Sequence, residues 1–576
     1  MNSDTKIVDL LAQHIDLTKE EIAEVLEIPP RAELGDFAFP CFRLAKTMRQ
    51  APQKIAVELK EKIETADTAA FIERIEVAGA YLNFFIKRSY RAVNVIRRSL
   101  AAGETPGATD KLAGQRIIVE YSSPNIAKPF HVGHAFTTFL GEAIANLYEY
   151  QGAEVFRFNH LGDYGTQFGK LIVAWKLWGD EEALAKNAIT ELTRVYVKFH
   201  QEVETRQELD DEAREAFRRL ENKEEEELKL WQQFRDVSLE EFDKIYSRLK
   251  IEFDNTNGES FYTNLIPEVI ERLREKDLLI ESEGAQVVDL EEYDLKPCLI
   301  LKSDGSTIYA SRDLAAILYR VKEYDYDLNI YVVGLPQKNH FEQVFAVAKK
   351  ADFPKAENNV HVAFGTVKMA DGGFSTRSGN VILLDDLLET SVVKTSAIIR
   401  SNNEDMPEAE LKDSAEKIGL GAVRYAFLRA GRERDIIFSW EEMLDFEGDT
   451  APYLQYTIAR CKALVRKAGP ATMAEVESVS DAALELLLED EEQEVLKNIE
   501  LFPLSIERAG KAYEPSIMMR QILTLARAFN KFYHNQPILR CENRDLLLAR
   551  LALTEAVERT LSAGLKLAGI ETVERM

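Results

Sequence analysis

Cysteine is scarce and scattered in this chain: four in 576 residues, at Cys41, Cys298, Cys461 and Cys541, with no C-x-x-C pair. That pattern argues against a disulfide framework or a zinc knuckle and predicts a cytoplasmic protein in a reducing compartment. Proline and glycine are also few, at 17 and 28, which excludes collagen-like and linker-rich chains. No apolar run reaches the ~18 residues that span a bilayer, so no membrane partner is expected. The stretch Met1 to Glu21 interleaves charges with its apolar residues and shows no secretory core, so no leader is expected either. Basic charge is in deficit, with 72 Lys and Arg against 98 Asp and Glu, a net of −26. A polyanion responds to local potential and not to the whole-chain sum, so this balance leaves a nucleic-acid partner open. Between Gln201 and Lys244, 16 acidic residues stand against 8 basic ones. That segment, with its run Glu224 to Glu227, reads as a solvated helix face or a helical insertion. Local basic stretches lie at Arg460 to Lys467 and at Arg508, Lys511, Arg520, Arg527 and Lys531.

What is present is globular. Apolar residues make up 46% of the chain, and at roughly 150 residues per domain the length implies three to four cores. Residues 1–108 read as a small α+β unit, with helical patterns around Ile7 to Ile15 and Ile22 to Leu26 and paired strands across Phe71 to Ile86. The turn-rich stretch Ala101 to Asp110 reads as a linker. A βαβ unit follows: Arg116 to Tyr121 has the short unbroken apolar run of a buried parallel strand. Ala135 to Tyr150 then places Phe136, Leu140, Ala143, Ile144 and Leu147 on one helical face, and Glu154 to Phe158 is the next strand. Further alternation at Cys298 to Leu301, Arg312 to Lys322, Asn329 to Val333, His340 to Lys350 and Val360 to Phe364 predicts one parallel sheet. A helical insertion near Glu181 to Lys250 interrupts it. Beyond Leu383 the pattern is nearly all helical.

In an open parallel sheet the loop after the first strand is a preferred ligand site. Here that loop carries Lys128-Pro-Phe-His131-Val-Gly-His134 into a helix start. Backbone N–H groups there favour phosphate, and Gly133 lets a nucleotide approach the chain closely. Two imidazoles three residues apart can donate to phosphate oxygens as charge builds during phosphoryl or adenylyl transfer. Taken alone, the pair equally describes two ordinary histidines at a helix start. Zinc is disfavoured, since the spacing is i,i+3 and no second His/Cys cluster accompanies it, so no metal site is expected.

The loop SSPNIAKPFHVGH (122–134) resembles the HIGH signature of class I aminoacyl-tRNA synthetases, in the extended form of the arginyl enzymes. NHLGDYGTQFGKL (159–171), YASRDLAA (309–316) and FEGDTAPYLQYTIAR (446–460) agree with that family, as do GDFAFPCFRLAK near the amino end and RAFNKFYH near the carboxyl end. The resemblance implies a tRNA-elbow-binding domain at 1–108 and an α/β, Rossmann-type catalytic domain at 109–385 with a helical insertion about 181–300. It further implies a helical stem-contact region at 386–448 and an all-α anticodon-binding bundle at 449–576. The implied reaction joins L-arginine to tRNA(Arg) through arginyl-adenylate, with ATP as substrate, Mg²⁺ carried on ATP and no structural metal. A cytoplasmic monomer is expected.

By the same resemblance, Ser123, Lys128, His131, Gly133 and His134 hold ATP, together with Ser375, Thr376, Arg377 and Gly379 of Phe374 to Asn380, the counterpart of the second class I signature. The lysine usual in that signature is absent; Lys128 and Arg377 both stand as the phosphate cation, whereas Lys368 precedes the glycine turn and is not its counterpart. Glu120, Tyr309 and Asp313 are implied to grip the guanidinium, whose planar fork matches carboxylates as an ammonium cannot. Asn125, His131 and Gln337 are implied to hold the α-amino and α-carboxylate end. Tyr456, Phe529, Phe532, Tyr533 and His534 are candidates to stack on unpaired bases, and Phe37 and Phe39 are the expected exposed aromatics of the amino-terminal unit. The alternatives are a glutamyl or cysteinyl class I enzyme, a tRNA-independent adenylyltransferase, or a non-catalytic tRNA-binding relative.

Overall fold

The computed structural model describes residues 3–64, 70–369 and 383–575. At the amino end, strands Phe37–Pro40, Ile72–Ala78 and Tyr81–Ile86 form an antiparallel sheet with Tyr81–Ile86 in the middle. Helices Ser3–Ala12 and Pro52–Glu64 bury Ile7, Leu11, Ile55 and Leu59 against Phe84 and Ile75 of the sheet. Phe37 and Phe39 are 3% and 0% exposed, which corrects the expectation that they face solvent. Two residues apart on one strand, they share a face, and that face is the core. The aromatic this unit does expose is Phe42, at 54%.

The central sheet has four parallel strands: β1 (Arg116–Glu120), β2 (Glu154–Phe158), β3 (Leu328–Gly334) and β4 (Asn359–Phe364), in the order β4-β3-β1-β2. Ile117, Ile118 and Val119 are fully buried because helices cover both faces, as the unbroken apolar run required. The chain leaves β1 toward β2 on one side and returns to β3 on the other, so β1 and β3 flank the switch point. At such a switch point the loops beyond the strand ends of open parallel sheets diverge and form the crevice in which ligands bind. Helix α1 (Val132–Glu149) follows β1 and buries Phe136, Phe139, Leu140 and Ile144.

Between β2 and β3 lie helices Thr166–Trp178, Glu181–Lys186, Ala188–Glu202, Glu208–Glu221 and α2 (Glu225–Leu249). A three-stranded antiparallel sheet follows, built from Leu279–Ser282, Ala285–Val288 and Cys298–Leu301. Cys298–Leu301 therefore belongs to this side sheet and not to the parallel one. An apolar run of four fits either sheet, but Cys298 and Ile300 are buried while Leu299 is exposed, the alternation of a half-buried antiparallel strand. The acidic run opens α2, where the helix N-terminus favours carboxylates. Glu227 is not solvated: it is buried and ion-paired to Lys176 at 3.0 Å and Arg219 at 2.9 Å.

Helix α3 (Tyr309–Tyr324) precedes β3, and α4 (Lys338–Lys350) connects β3 to β4. The remainder is helical, with Leu384–Asn402 and Glu408–Leu428 leading into the long helices Ala451–Ala468, Asp490–Ala512, Ser516–Asn535 and Arg544–Leu567. One strand, Ile436–Phe438, interrupts that run and pairs in parallel with Val367–Met369. Among the described residues no helix is long and apolar enough to cross a membrane.

Candidate active site at the sheet switch point

The loop from β1 to α1 is tightly wound. Ser122, Ser123 and Ala127 have φ of 69°, 46° and 58°, in the left-handed region that side chains disfavour. Such positions cost about 1–3 kcal/mol each and persist where the surroundings over-determine them. Ser122 N–H donates to Thr137 Oγ1 at 3.2 Å, and Ser123 N–H to Asn159 Oδ1 at 3.1 Å. Asn125 bridges to Gly162, where an added Cβ would fall 2.4 Å from Asn125 Oδ1.

His131 is the N-cap of α1, in extended backbone, and its Nδ1 accepts from Gly133 N–H at 3.0 Å. His134 Nδ1 accepts from His131 N–H at 3.1 Å. A ring nitrogen that accepts carries no proton, so each neutral imidazole holds its hydrogen on Nε2 and presents it as a donor. The two rings lie 3.9 Å apart, and His134 stacks on Phe130 at 5.1 Å. Burial lowers the pKa of both, and the Lys128 ammonium lowers each further. His134 is pushed down to about 3 by burial, then His131, then Lys128. Both rings are therefore neutral donors at physiological pH. Lys128 is exposed, and it makes no hydrogen bond or ion pair with other described residues. Lys368, by contrast, is bound to Asp435 at 2.5 Å.

Across the crevice, α3 presents Tyr309, which is 54% exposed, and one turn later Asp313. Asp313 Oδ2 lies 2.5 Å from His340 Nε2 on α4. Burial pushes the Asp313 carboxyl up, but His340, His160 and Arg312 together hold it below the ordinary range. Burial likewise opposes the charge on His340, and Asp313 outweighs it, so the imidazole is raised. Gln337 lies exposed just before α4. Glu120, at the end of β1, is buried and already ion-paired to the fully buried Arg320, with His160 Nδ1 4.0 Å away. It reaches the crevice as a neutralised carboxylate and not as an open one.

Four residues here escaped sequence reasoning: Arg320 and His340, and two more. His160 stacks on Tyr262 at 5.3 Å beside Glu120, and its place directly after Asn159 in a motif already singled out was the available signal. Glu259 pairs with Arg312 at 2.9 Å, and that guanidinium in turn covers the Tyr309 ring at 4.8 Å. Burial pushes Glu259 up to about 8 against the pull of Arg312. A lone acid far from any motif gave no signal. Ser375, Thr376, Arg377 and Gly379 lie outside the described residues. The chain on their carboxyl side is anchored to the signature loop, with Leu383 bridged to His131 and Leu384 N–H donating to Phe130 O at 2.9 Å.

In the carboxyl-terminal bundle, Phe529 and Phe532 are fully buried core, which removes them as base-stacking candidates. Tyr456 and His534 are exposed and Tyr533 half-buried, and Arg460 lies between the Tyr456 and Tyr533 rings at 4.9 and 4.7 Å.

Three family models match the chain: the arginyl tRNA synthetase N-terminal domain over residues 4–86, the catalytic domain of tRNA synthetases class I (R) over 98–440, and the DALR anticodon binding domain over 454–576. The chain belongs to the arginyl-tRNA synthetase family. An arginine–tRNA ligase of Clostridioides difficile is 49% identical over 562 residues, 97% of each chain. One from Clostridium perfringens is 46% identical over 571 residues, 99% of each. The arginyl-tRNA synthetase of Thermus thermophilus superposes with a TM-score of 0.83 at 25% identity, covering 100% of this chain and 99% of that one. Membership in the arginyl family removes the glutamyl and cysteinyl alternatives, and full-length coverage removes the minimal adenylyltransferase.

Proposed function

We propose that the adenylation site of this arginine–tRNA ligase is the crevice between β1 and β3. An α-carboxylate oxygen of arginine attacks the α-phosphorus of ATP. The bond from that phosphorus to the bridging oxygen breaks, and pyrophosphate leaves with the electron pair. The terminal ribose hydroxyl of tRNA(Arg) then attacks the carbonyl carbon of arginyl-adenylate, loses its proton and expels AMP. No enzyme nucleophile is needed, so alignment and charge stabilisation carry the rate.

The observation that carries this reading is the pair of Nε2–H donors at the start of α1, with a Lys128 ammonium that pairs with no other described residue and lies close enough to depress both imidazoles. In this reading Ser123, Gly133, His131 and His134 surround the ATP phosphates, with Mg²⁺ arriving on the nucleotide, and Lys128 supplies the fixed positive charge. Ser375, Thr376, Arg377 and Gly379 complete the shell. Tyr309 and Asp313 take the guanidinium, with Glu120 contributing through its pair with Arg320, while Asn125, His131 and Gln337 hold the amino-acid end. On the bundle, Tyr456, Tyr533 and His534 are the candidate base-stacking groups, and the protein works as a cytoplasmic monomer divided near residues 108, 385 and 448.

Arginine-dependent exchange of pyrophosphate into ATP, run with and without tRNA(Arg), tests the reading. Exchange that requires arginine supports it, and exchange only with tRNA adds that tRNA gates activation. Retained tRNA binding with no exchange under either condition would sink it in favour of a non-catalytic relative.

A further inference from the structure

The strained loop is not held by the sheet alone. Ser238, Phe242 and Tyr246 follow one another at four-residue intervals along α2, so they share one face of that helix, and the face lies on the loop. The Tyr246 hydroxyl is 2.7 Å from Ser122 Oγ and accepts from Asn159 Nδ2 at 3.0 Å. The other end of the same Asn159 amide accepts Ser123 N–H. One phenol thus fixes both left-handed serines, Ser122 directly and Ser123 through an amide that can lie only one way round. Eight residues earlier on α2, Ser238 Oγ accepts from Ala127 N–H at 2.9 Å while donating to Phe234 O at 2.6 Å. That is the third left-handed residue. Between these two points Phe242 and Tyr246 pack on Phe130 at 5.5 and 5.6 Å, the ring against which His134 stacks. The carboxyl end of α2 is itself tied down: Arg248 reaches Glu416, Asp385 and Glu389 at 2.8, 3.2 and 3.1 Å, and Leu249 O accepts from the buried Arg424.

We propose that α2, a helix of the insertion with no hydrogen bond or ion pair to the assigned substrate groups among the described residues, is the clamp that sets the phosphate-binding loop. Tyr246 and Ser238 are its positioning residues. The inference rests on the adenylation reading above. Every left-handed residue of the loop meets a hydroxyl of α2, directly or through Asn159, and each hydroxyl is buried where water cannot replace it. Loss of one hydroxyl lets the loop relax toward ordinary backbone and carries Lys128 and His131 off their positions. A displacement of about 1 Å in a positioned group lowers rate on the order of 100-fold.

The test is Tyr246→Phe, which keeps the ring on Phe130 and removes only the hydroxyl, beside Ser238→Ala and Tyr246→Leu. Both hydroxyl deletions should lower kcat for arginine-dependent exchange by at least ~10-fold and raise KM for arginine by a smaller factor, because the loop carries the transition-state donors and, at Asn125 and His131, part of the amino-acid site, while the guanidinium pocket stays in place. Their melting temperatures should stay near wild type, whereas Tyr246→Leu should also melt earlier from the lost ring. Wild-type kcat in both Tyr246→Phe and Ser238→Ala would overturn the clamp, and so would kcat that falls only in step with melting temperature. A silent wild-type enzyme would instead overturn the adenylation reading, and this inference with it.

Discussion

His134 shows how far a single residue can be read. Its Nδ1 is occupied by a backbone N–H and its pKa is about 3, so it acts as a fixed donor and not as a proton shuttle. His134→Ala should therefore cut exchange by on the order of 100-fold, the usual loss for one electrostatic donor, and leave tRNA affinity near wild type in a filter-binding titration. Unchanged turnover would remove the histidine from the site. Lys128→Ala should slow activation far more than Lys368→Ala, since Lys368 is already committed to Asp435; equal single-turnover rates would mean that the phosphate cation lies elsewhere. At the other wall, His340 is raised above 6.5 and Asp313 lowered below 3.8. A raised imidazole contributes stability below 6.5 that is lost as pH rises through its folded value, whereas a lowered carboxyl contributes above 3.8 and loses it as pH falls. Urea unfolding of His340→Gln against wild type should accordingly show the larger deficit at pH 5.5 and the smaller at pH 8.5. His131, His134 and Asp313 could be picked out as candidates from the chain. The partners Arg320, His340 and Glu259 could not, because each comes from a different stretch and only folding brings it near.

A helix start can satisfy propensity or function, and at Gly133 the two conflict. A Cβ there would lie 2.8 Å from His131 Cε1, so Gly133→Ala displaces the ring although it favours the helix itself by up to ~1 kcal/mol. The expected result is an enzyme with an unchanged or slightly higher melting temperature and exchange reduced at least ~10-fold, a separation that calorimetry and exchange kinetics would register together. A fall in melting temperature with full activity would contradict it. The same scale explains what periodicity could and could not give. β1 and α1 were legible because an unbroken apolar strand and a 3.6-residue stripe have few alternative environments. Cys298–Leu301 was misplaced because four residues name a strand but not its neighbour, and only its pairing with Ala285–Val288 decides the sheet. Phe37 and Phe39 were misread for a related reason: an aromatic on a short strand has no intrinsic side until the strand finds its helices. The role of α2 was hidden altogether, since its loop-facing residues look like any amphipathic stripe.

Over the whole molecule, the acidic surplus conceals a buried charge cluster that joins the two ends of the chain. Arg91 is 4% exposed and binds Asp36 at 2.7 Å, Glu500 at 3.3 Å and Gln493 at 3.2 Å. Ser3 donates to Glu500 from its N–H and its hydroxyl, and Lys497 adds to Asp36 at 3.4 Å. Around this centre, Arg88 with Asp490 and Arg97 with Asp481 repeat the contact at the surface, each at 2.7 Å. Exposed pairs of that kind contribute little, so among the charged contacts the junction rests on Arg91, beside the apolar packing of Ala92, Val95 and Ile96. Burial pushes Asp36 up, yet Arg91 and Lys497 hold it below its ordinary 3.8, so its contribution is present above that pH and lost as pH falls through the depressed value. Arg91→Met removes the cation, leaves the buried Glu500 without an ion pair and Asp36 with Lys497 alone, and should destabilise the protein by about 3–5 kcal/mol at neutral pH. Stranded carboxyls shift upward instead, so protonation relieves them. The deficit against wild type should then narrow as the pH is lowered from 7.5 to 5, as measured by unfolding midpoints in urea. A deficit that stays constant over that range would assign the loss to packing of the arginine stem and not to its charge. If the narrowing is seen, a desolvated guanidinium adds to the apolar packing of Ala92, Val95 and Ile96 in holding the amino-terminal unit to the bundle, an electrostatic contribution that the net charge of −26 gave no reason to expect.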